Sequence, residues 1–390
     1  MEIIAFTLPF IVALFLLIFF RKETTWHEYL LLILPSIGIF FITRCIMVVY
    51  NQDDTEYLGT YITKVRHYDE WDEWIVRRCT RQVPAGKDAN GNTRYRTESY
   101  DCSYRQYHPE RWAWFDPEGE EHWLYYEKEY DIIRNRFNSP MKFVDMHRKY
   151  YRIDGDAQEY VWLGSRETAY PVTYEHSYKN KVQRSRSVFN FTELSDKEAD
   201  TLGLYQYPKI EMYDQNPILS KRNIVPIEQE RAIRYLNGMF GAKYQFRLYV
   251  LLFENADIEI SELQRSYWIG GNKNELVVCL GLKDSTHVNW CNAFCWSDYP
   301  KLELQTEQYF AQNDTLDLVK YGRFVEDRLA AGDWQRKEFE DFEYIRAELT
   351  QTQYIWILII TLLYNIGISV FIVLNDLKIR KIGDEYVSSI

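Results

Sequence analysis

Three long apolar runs bracket a chain whose remainder mixes polar and apolar positions. Residues 3–20 and 354–375 contain no charged side chain, and residues 29–50 contain only Arg44. Apolar residues lie all round these helices rather than on one stripe. About 20 such residues cross a hydrocarbon core of about 30 Å. Three transmembrane helices are therefore expected, with residues 1–50 holding the first two and a short hairpin between them. A cleaved signal peptide does not fit the first run. Only Met1 and Glu2 precede it, and Phe19, Phe20, Arg21 and Lys22 stand where small residues would mark a cleavage site.

Basic residues beside the spans set the orientation. Arg21 and Lys22 lie between the first two runs, and Lys378, Arg380 and Lys381 follow the third. The stretch after the second run is acidic. Residues 51–353 are thus expected outside, with the hairpin and the tail 376–390 in the cytoplasm. Arg44 lies about two turns from the outer boundary, where an arginine snorkels to the interface. An ion path built on it is the less economical reading. Pro9 and Pro35 would kink their helices.

Between the spans the pattern changes twice. Residues 51–192 read as β-rich, with Tyr57, Gly59, Tyr61, Thr63 and Val65 on one parity of an alternating stretch. Asn90-Gly91 is a strong hairpin signal, because both residues tolerate the positive φ of a type I′ turn. A two-residue turn there sets Cys79 opposite Cys102, Trp74 opposite Tyr107 and Glu73 opposite His108. A Cys79–Cys102 disulfide is expected, which fits an extracytoplasmic face. Pro84 is expected to add a bulge and shift the register. A zinc site from these cysteines with His67 and His108 lacks the short Cys-x-x-Cys spacing. The basic stretch 179–186 reads as an edge strand.

From Ser195 the grammar becomes helical and mixed. Ser195 and Glu198 form a capping box, and a connector of residues 193–223 leads to a helix with Pro226 at its start. Gly238 and Gly241 are expected to stop it. A strand buried on both faces follows, then a short helix capped by Ser261 and ended by Gly270 and Gly271. Two more strands come next, one of them the apolar stretch 275–282. Two charged helices are expected over about 315–331 and 333–349. This order indicates an α/β sandwich, so the whole is an α+β membrane protein.

Three local strings, residues 232–253, 268–284 and 321–339, resemble the TPM domain, an extracytoplasmic module often followed by a transmembrane helix. The resemblance spans residues 224–349, about a third of the chain, and leaves the β-rich part uncovered. It implies one of several roles: phosphatase, envelope assembly or repair factor, or accessory protein of a receptor. Some members hold divalent ions on acidic loops. Ligands of open α/β sheets sit beyond the carboxyl ends of the strands. Glu254, Asn255, Asp257 and Asp284 fall there. Glu254, Asp257 and Asp284 would suit a hard cation, Ca²⁺ or Mg²⁺; the simpler alternative is ordinary surface acids.

Charge and motifs narrow the function classes. Lys and Arg total 46 against 57 Asp and Glu, a formal net charge of -11. Such a balance argues against a nucleic-acid partner. The chain has no Gly-x-Ser-x-Gly, Walker loop or His-Glu-x-x-His. Cys279 reads as a small buried hydrophobe, and Cys291 and Cys295 would share a strand face too far apart to bond. Asn190 and Asn313 open sequons. The expected partners are the lipid bilayer and other envelope or membrane proteins. The expected function is that of an anchored, non-catalytic binding or assembly factor, with a metal-dependent, phosphatase-like hydrolase as the alternative.

Overall fold

A computed structural model describes residues 2–20, 26–87, 91–146, 154–182, 191–192, 194–210, 216–222, 224–254, 256–345 and 348–375. The apolar runs form helices α1 (Glu2–Phe19), α2 (Trp26–Tyr50) and α9 (Gln351–Asn375). Among the described residues two helices, Trp26–Tyr50 and Gln351–Leu374, are long and apolar enough to cross a membrane; α1 is equally apolar but shorter. The three pack together. Ala5 meets Phe40 and Ile357 at one end, and Ala13 and Leu16 meet Leu32 and Ile372 at the other. Hence α1 and α9 run in the same direction and α2 runs against them. Buried Asn365 donates to Ser36 Oγ across α2 and α9 at 2.7 Å, the kind of polar contact that joins apolar helices. Their outer faces expose Leu, Ile and Phe. The flanking basic residues, from Arg21 to Lys22 and beyond 375, lie outside the described residues.

The β-rich part comprises β1 (Asp53–Tyr61), β2 (Lys64–Tyr68), β3 (Trp71–Ile75), β4 (Arg78–Lys87), β5 (Thr93–Asp101), β6 (Tyr104–His108), β7 (Arg111–Phe115), β8 (Glu121–Leu124), helix α3 (Glu127–Phe137), β9 (Lys142–Val144), β10 (Ala157–Val161) and β11 (Pro171–Lys179). A five-stranded antiparallel sheet runs β8-β7-β2-β10-β9, and β1 pairs separately with β11. Helix α3 buries Tyr130, Ile133 and Phe137 against Val65, Trp114 and Leu124 of the sheet. Residues 58–60 are buried on both parities, because the ribbon β1–β11 is covered by a helix of the second part.

One antiparallel register runs without interruption from Lys64↔Phe115 through Trp74↔Arg105 to Pro84↔Tyr95. The numbers of paired residues total 179, not the 181 of a two-residue turn at Asn90-Gly91. The ladder shifts between Pro84 and Lys87, where the proline cannot donate to it. Trp74 therefore faces Arg105 and Glu73 faces Gln106, correcting the expected pairs. Glu73 still reaches His108 diagonally, at 3.0 Å. Gly91 has the expected positive φ of 82°, while Asn90 lies outside the described residues.

The second part holds α4 (Asp196–Leu202), β12 (Ile218–Ser220), α5 (Ile227–Tyr244), β13 (Arg247–Glu254), α6 (Glu259–Tyr267), β14 (Glu275–Leu282), β15 (Val288–Cys295), α7 (Lys301–Gln312) and α8 (Leu318–Ala330). The Ser195–Glu198 capping box is present. The sheet runs β12-β13-β14-β15, parallel across the first three strands and antiparallel at the last. Strand β14 is buried along its whole length. On one face Leu248, Val250, Val278 and Leu280 meet Ile233, Leu236, Leu302, Tyr321 and Val325 of α5, α7 and α8. On the other, Tyr249, Leu251 and Cys279 meet Trp268, Tyr205 and Ile260.

Four local expectations are corrected. Gly238 and Gly241 do not stop α5; they lie inside it, at its contact with β1. Ser261 is within α6 and donates to the Ile258 carbonyl at 2.6 Å rather than capping the helix. Helix α7 and the short strand β12 were not expected at all. Residues 333–345 do not form a continuous helix. A 3-10 turn at Phe339–Phe342 is the regular element there. Gly332 takes a positive φ of 78°, Ser297 pairs with Arg336 in an isolated bridge, and Phe339, Phe342 and Ile345 pack with Val182. These contacts hold the segment away from a helical path.

Candidate functional site

The acids expected at the strand ends each have a local partner. Glu254 ends β13 and pairs with Arg222 Nε at 3.0 Å, a neighbour supplied by the loop after β12. Asp284 accepts from the Thr286 amide and hydroxyl, each at 2.8 Å, and lies 2.9 Å from His287 Nδ1. Those donors hold its carboxyl well below the usual carboxylate range. Asp257 accepts through its backbone carbonyl from Ile260 at the start of α6. Among the described residues no group of three or more His, Cys, Asp or Glu could hold a metal ion. Asn255 lies outside the described residues, as do the basic stretch 183–186 and the Asn190 sequon.

Cys79 and Cys102 are joined in a disulfide with 5.8 Å between their Cα atoms. The bridge is diagonal: Cys79 faces Tyr100, and the Cys102 amide donates to the Arg77 carbonyl at 2.9 Å. A register displaced by two residues keeps both side chains on one face, which is why the pairing survives the wrong register. Cys279, Cys291 and Cys295 are free thiols, and burial pushes all three well above the ordinary thiol range.

The disulfide sits midway along a projecting arm formed by β3–β6 and β4–β5. From Trp71 to Lys87 one strand of the arm extends about 55 Å at about 3.3 Å per residue. No described residue of the arm before His108 is buried. Trp74 and Tyr107 are 63% and 58% exposed, and Val76, Tyr95, Tyr100 and Tyr104 are exposed as well. The sequence signalled the hairpin but not its isolation, because isolation depends on where the neighbouring sheet ends.

A second feature lies between the two parts, where α5 rests on the ribbon β1–β11. Glycines make this approach possible. A Cβ at Gly59 would lie 1.9 Å from the Asn237 carbonyl oxygen, and one at Gly241 would lie 2.6 Å from the Gly59 nitrogen. Asn274 at the entry to β14 donates to the Tyr57 carbonyl at 2.8 Å. Nearby, fully buried Glu56 of β1 receives Arg336 at 2.6 Å and His176 at 2.7 Å, with Lys273 at 3.7 Å. Beneath the ribbon, Arg247 and Glu275 are register partners at the starts of β13 and β14 and are fully buried. Arg247 donates to Tyr249 at 2.8 Å, and Glu275 accepts from Tyr207 and, at 2.8 Å, from the Asn272 amide. Burial pushes the Glu275 carboxyl up, against the pull of those donors and of Arg247.

Beside this buried cluster the seam opens into a cavity of about 320 Å³ lined from both parts. Arg136 and Arg166 come from the β-rich part; Arg231, Arg234 and Arg247 come from α5 and β13. No single stretch of sequence carries this set. Arg231 and Arg234 share one turn of α5, but the others converge only through the fold. Comparison with family models, with curated proteins and with solved structures returns no match.

Proposed function

We propose that the protein is a membrane-anchored extracytoplasmic binding or assembly factor. All three apolar helices span the bilayer, residues 51–353 lie outside, and the second part is TPM-like. Several observations support this topology. Helix α1 is 18 residues long, about 27 Å at 1.5 Å per residue, and it packs along α2 and α9. The directions of the helices put the start of α1 at the same end of the bundle as the folded body. At that end the chain's exit from α2 and its entry into α9 are tied together. Asn51 Nδ2 donates to Gln353 at 2.8 Å, and Gln353 Nε2 returns a bond to Asn51 at 2.5 Å.

The observation that carries the binding role is the stapled arm. Burying apolar surface is worth about 25 cal/mol per Å², yet this arm leaves Trp74, Val76 and four tyrosines in solvent. Its aromatic side chains are of the kind that anchor protein interfaces, and the disulfide reduces the ordering cost of binding. Other proteins of the same envelope are the expected partners. The test compares binding with hydrolysis. Full-length protein in detergent micelles should show no turnover of a generic phosphomonoester with or without Ca²⁺ or Mg²⁺. It should also crosslink to envelope proteins through a photoreactive residue placed at Tyr107, and lose those products when Trp74 and Tyr107 are replaced by serine. Metal-dependent turnover abolished by Asp284→Asn would overturn this reading in favour of a hydrolase.

A further inference from the structure

We propose that the cavity at the seam binds a small soluble organic anion, its phosphate or carboxylate group held by arginines and its apolar portion against Ile132, Val172 and Ile227. Five arginines line the cavity and no Asp or Glu does, in a chain whose acids outnumber its bases. The average surface of such a protein would give the opposite balance. The volume is at the small end of the range for ligand pockets, about 300–1,000 Å³.

Arg166 is only partly engaged. Arg166 is clamped by Glu326 through one nitrogen, at 2.7 and 2.8 Å, and lies over the Tyr235 ring at 4.2 Å. Its other terminal nitrogen is buried with no hydrogen-bond acceptor among the described residues. Arg136 lies over the Tyr170 ring. Stacking of this kind fixes the guanidinium plane. Glu230, which pairs with Arg234, and Glu326 both stand outside the lining. Arg231 is exposed and makes no ion pair with any described residue. An aromatic or aliphatic acid satisfies both the charge and the apolar lining; a bare inorganic ion satisfies only the first.

The position selects a soluble source over a lipid of the host bilayer. Gly59 lines the cavity six residues beyond Asp53, where β1 leaves the helix bundle. That is about 20 Å of extended chain. The site shares no residue with the exposed arm and does not rest on the arm's binding role.

The test uses the full-length protein in detergent at constant ionic strength, titrated by calorimetry with phenyl phosphate, benzoate and inorganic phosphate. Saturable binding of phenyl phosphate or benzoate is expected at millimolar concentration or below, tighter than inorganic phosphate. Arg231→Glu should weaken it at least about tenfold, or about 1.4 kcal/mol, with an unliganded melting point unchanged. Arg231→Lys, which keeps the charge but not the fork, should fall between. No saturable heat with any of the three probes would overturn the proposal. So would binding that Arg231→Glu leaves intact. Should Arg231→Glu fail to fold, Arg231→Lys decides alone: affinity equal to the wild type contradicts the proposal, and weaker affinity supports it.

Discussion

Replacing Gly241 with alanine separates helix propensity from packing at the seam. Inside an exposed helix this change stabilises by about 1 kcal/mol. In α5 the new Cβ would lie 2.6, 2.8 and 2.9 Å from the nitrogen, Cα and oxygen of Gly59. All three are backbone atoms of β1, so no flexible side chain can yield; the ribbon or the helix has to move. Overpacking of this kind costs about 1–3 kcal/mol. The absence of a yielding neighbour puts Gly241→Ala at the upper end. After the propensity gain, a net loss of about 1–2 kcal/mol remains. Gly322 in α8 is the control. Its Cβ would lie 3.5 Å from Ile233 Cδ1 and 4.0 Å from the Ala232 oxygen, ordinary contact, so Gly322→Ala should stabilise by up to about 1 kcal/mol. Thermal unfolding in detergent should therefore move the two variants in opposite directions. At about 2–4 °C per kcal/mol for bodies of 150–250 residues, Gly241→Ala falls by several degrees. If Gly241→Ala raised the midpoint as Gly322→Ala does, the two parts would not be in the contact described.

Glu56→Ala should destabilise by about 1–3 kcal/mol in chemical unfolding, because it leaves buried Arg336 and Lys273 with the half-exposed Glu338 as their remaining acid; a loss under about 0.5 kcal/mol would show that Glu338 and water replace it. Non-reducing peptide mapping should recover Cys79 linked to Cys102. Cys279, Cys291 and Cys295 should resist alkylation at mildly alkaline pH until the protein is denatured, since burial raises each thiol and so lowers its thiolate fraction. Calcium or magnesium titration should give no saturable melting shift; a shift that Asp284→Asn removes would restore the strand-end acids as a metal site.

The elements legible in the sequence are those whose signal is local. The apolar runs, the Ser195 capping box, the buried strands at 247–254 and 275–282 and the Cys79–Cys102 bridge each rest on a short stretch and its own chemistry. The failures share a different cause. Gly238 and Gly241 carry the composition of a helix stop, yet the role of Gly241 is set by Gly59, about 180 residues earlier in the chain, and that of Gly238 by Thr60 and Pro171. Residues 333–345 are rich enough in charge and aromatics to read as a helix, but Ser297, Val182 and Glu56 hold them elsewhere. The hairpin register differs by two, and one of those residues is taken up between Pro84 and Lys87, where the pair total rises from 179 to 180. The five arginines of the cavity come from four separate elements and loops, so no spacing rule could have gathered them. The acids that geometry alone suggested, Glu254 and Asp284, are engaged by Arg222 and by the Thr286 turn instead.

The topology is the central claim, and protease protection tests it most directly. With tags before Met1 and after Ile390, protease added outside intact cells or spheroplasts should degrade residues 51–353 and remove the N-terminal tag, while the C-terminal tag survives on a small protected fragment. Loss of the C-terminal tag with survival of the folded body would invert the orientation, and complete protection of both tags and the body would contradict an extracytoplasmic protein altogether.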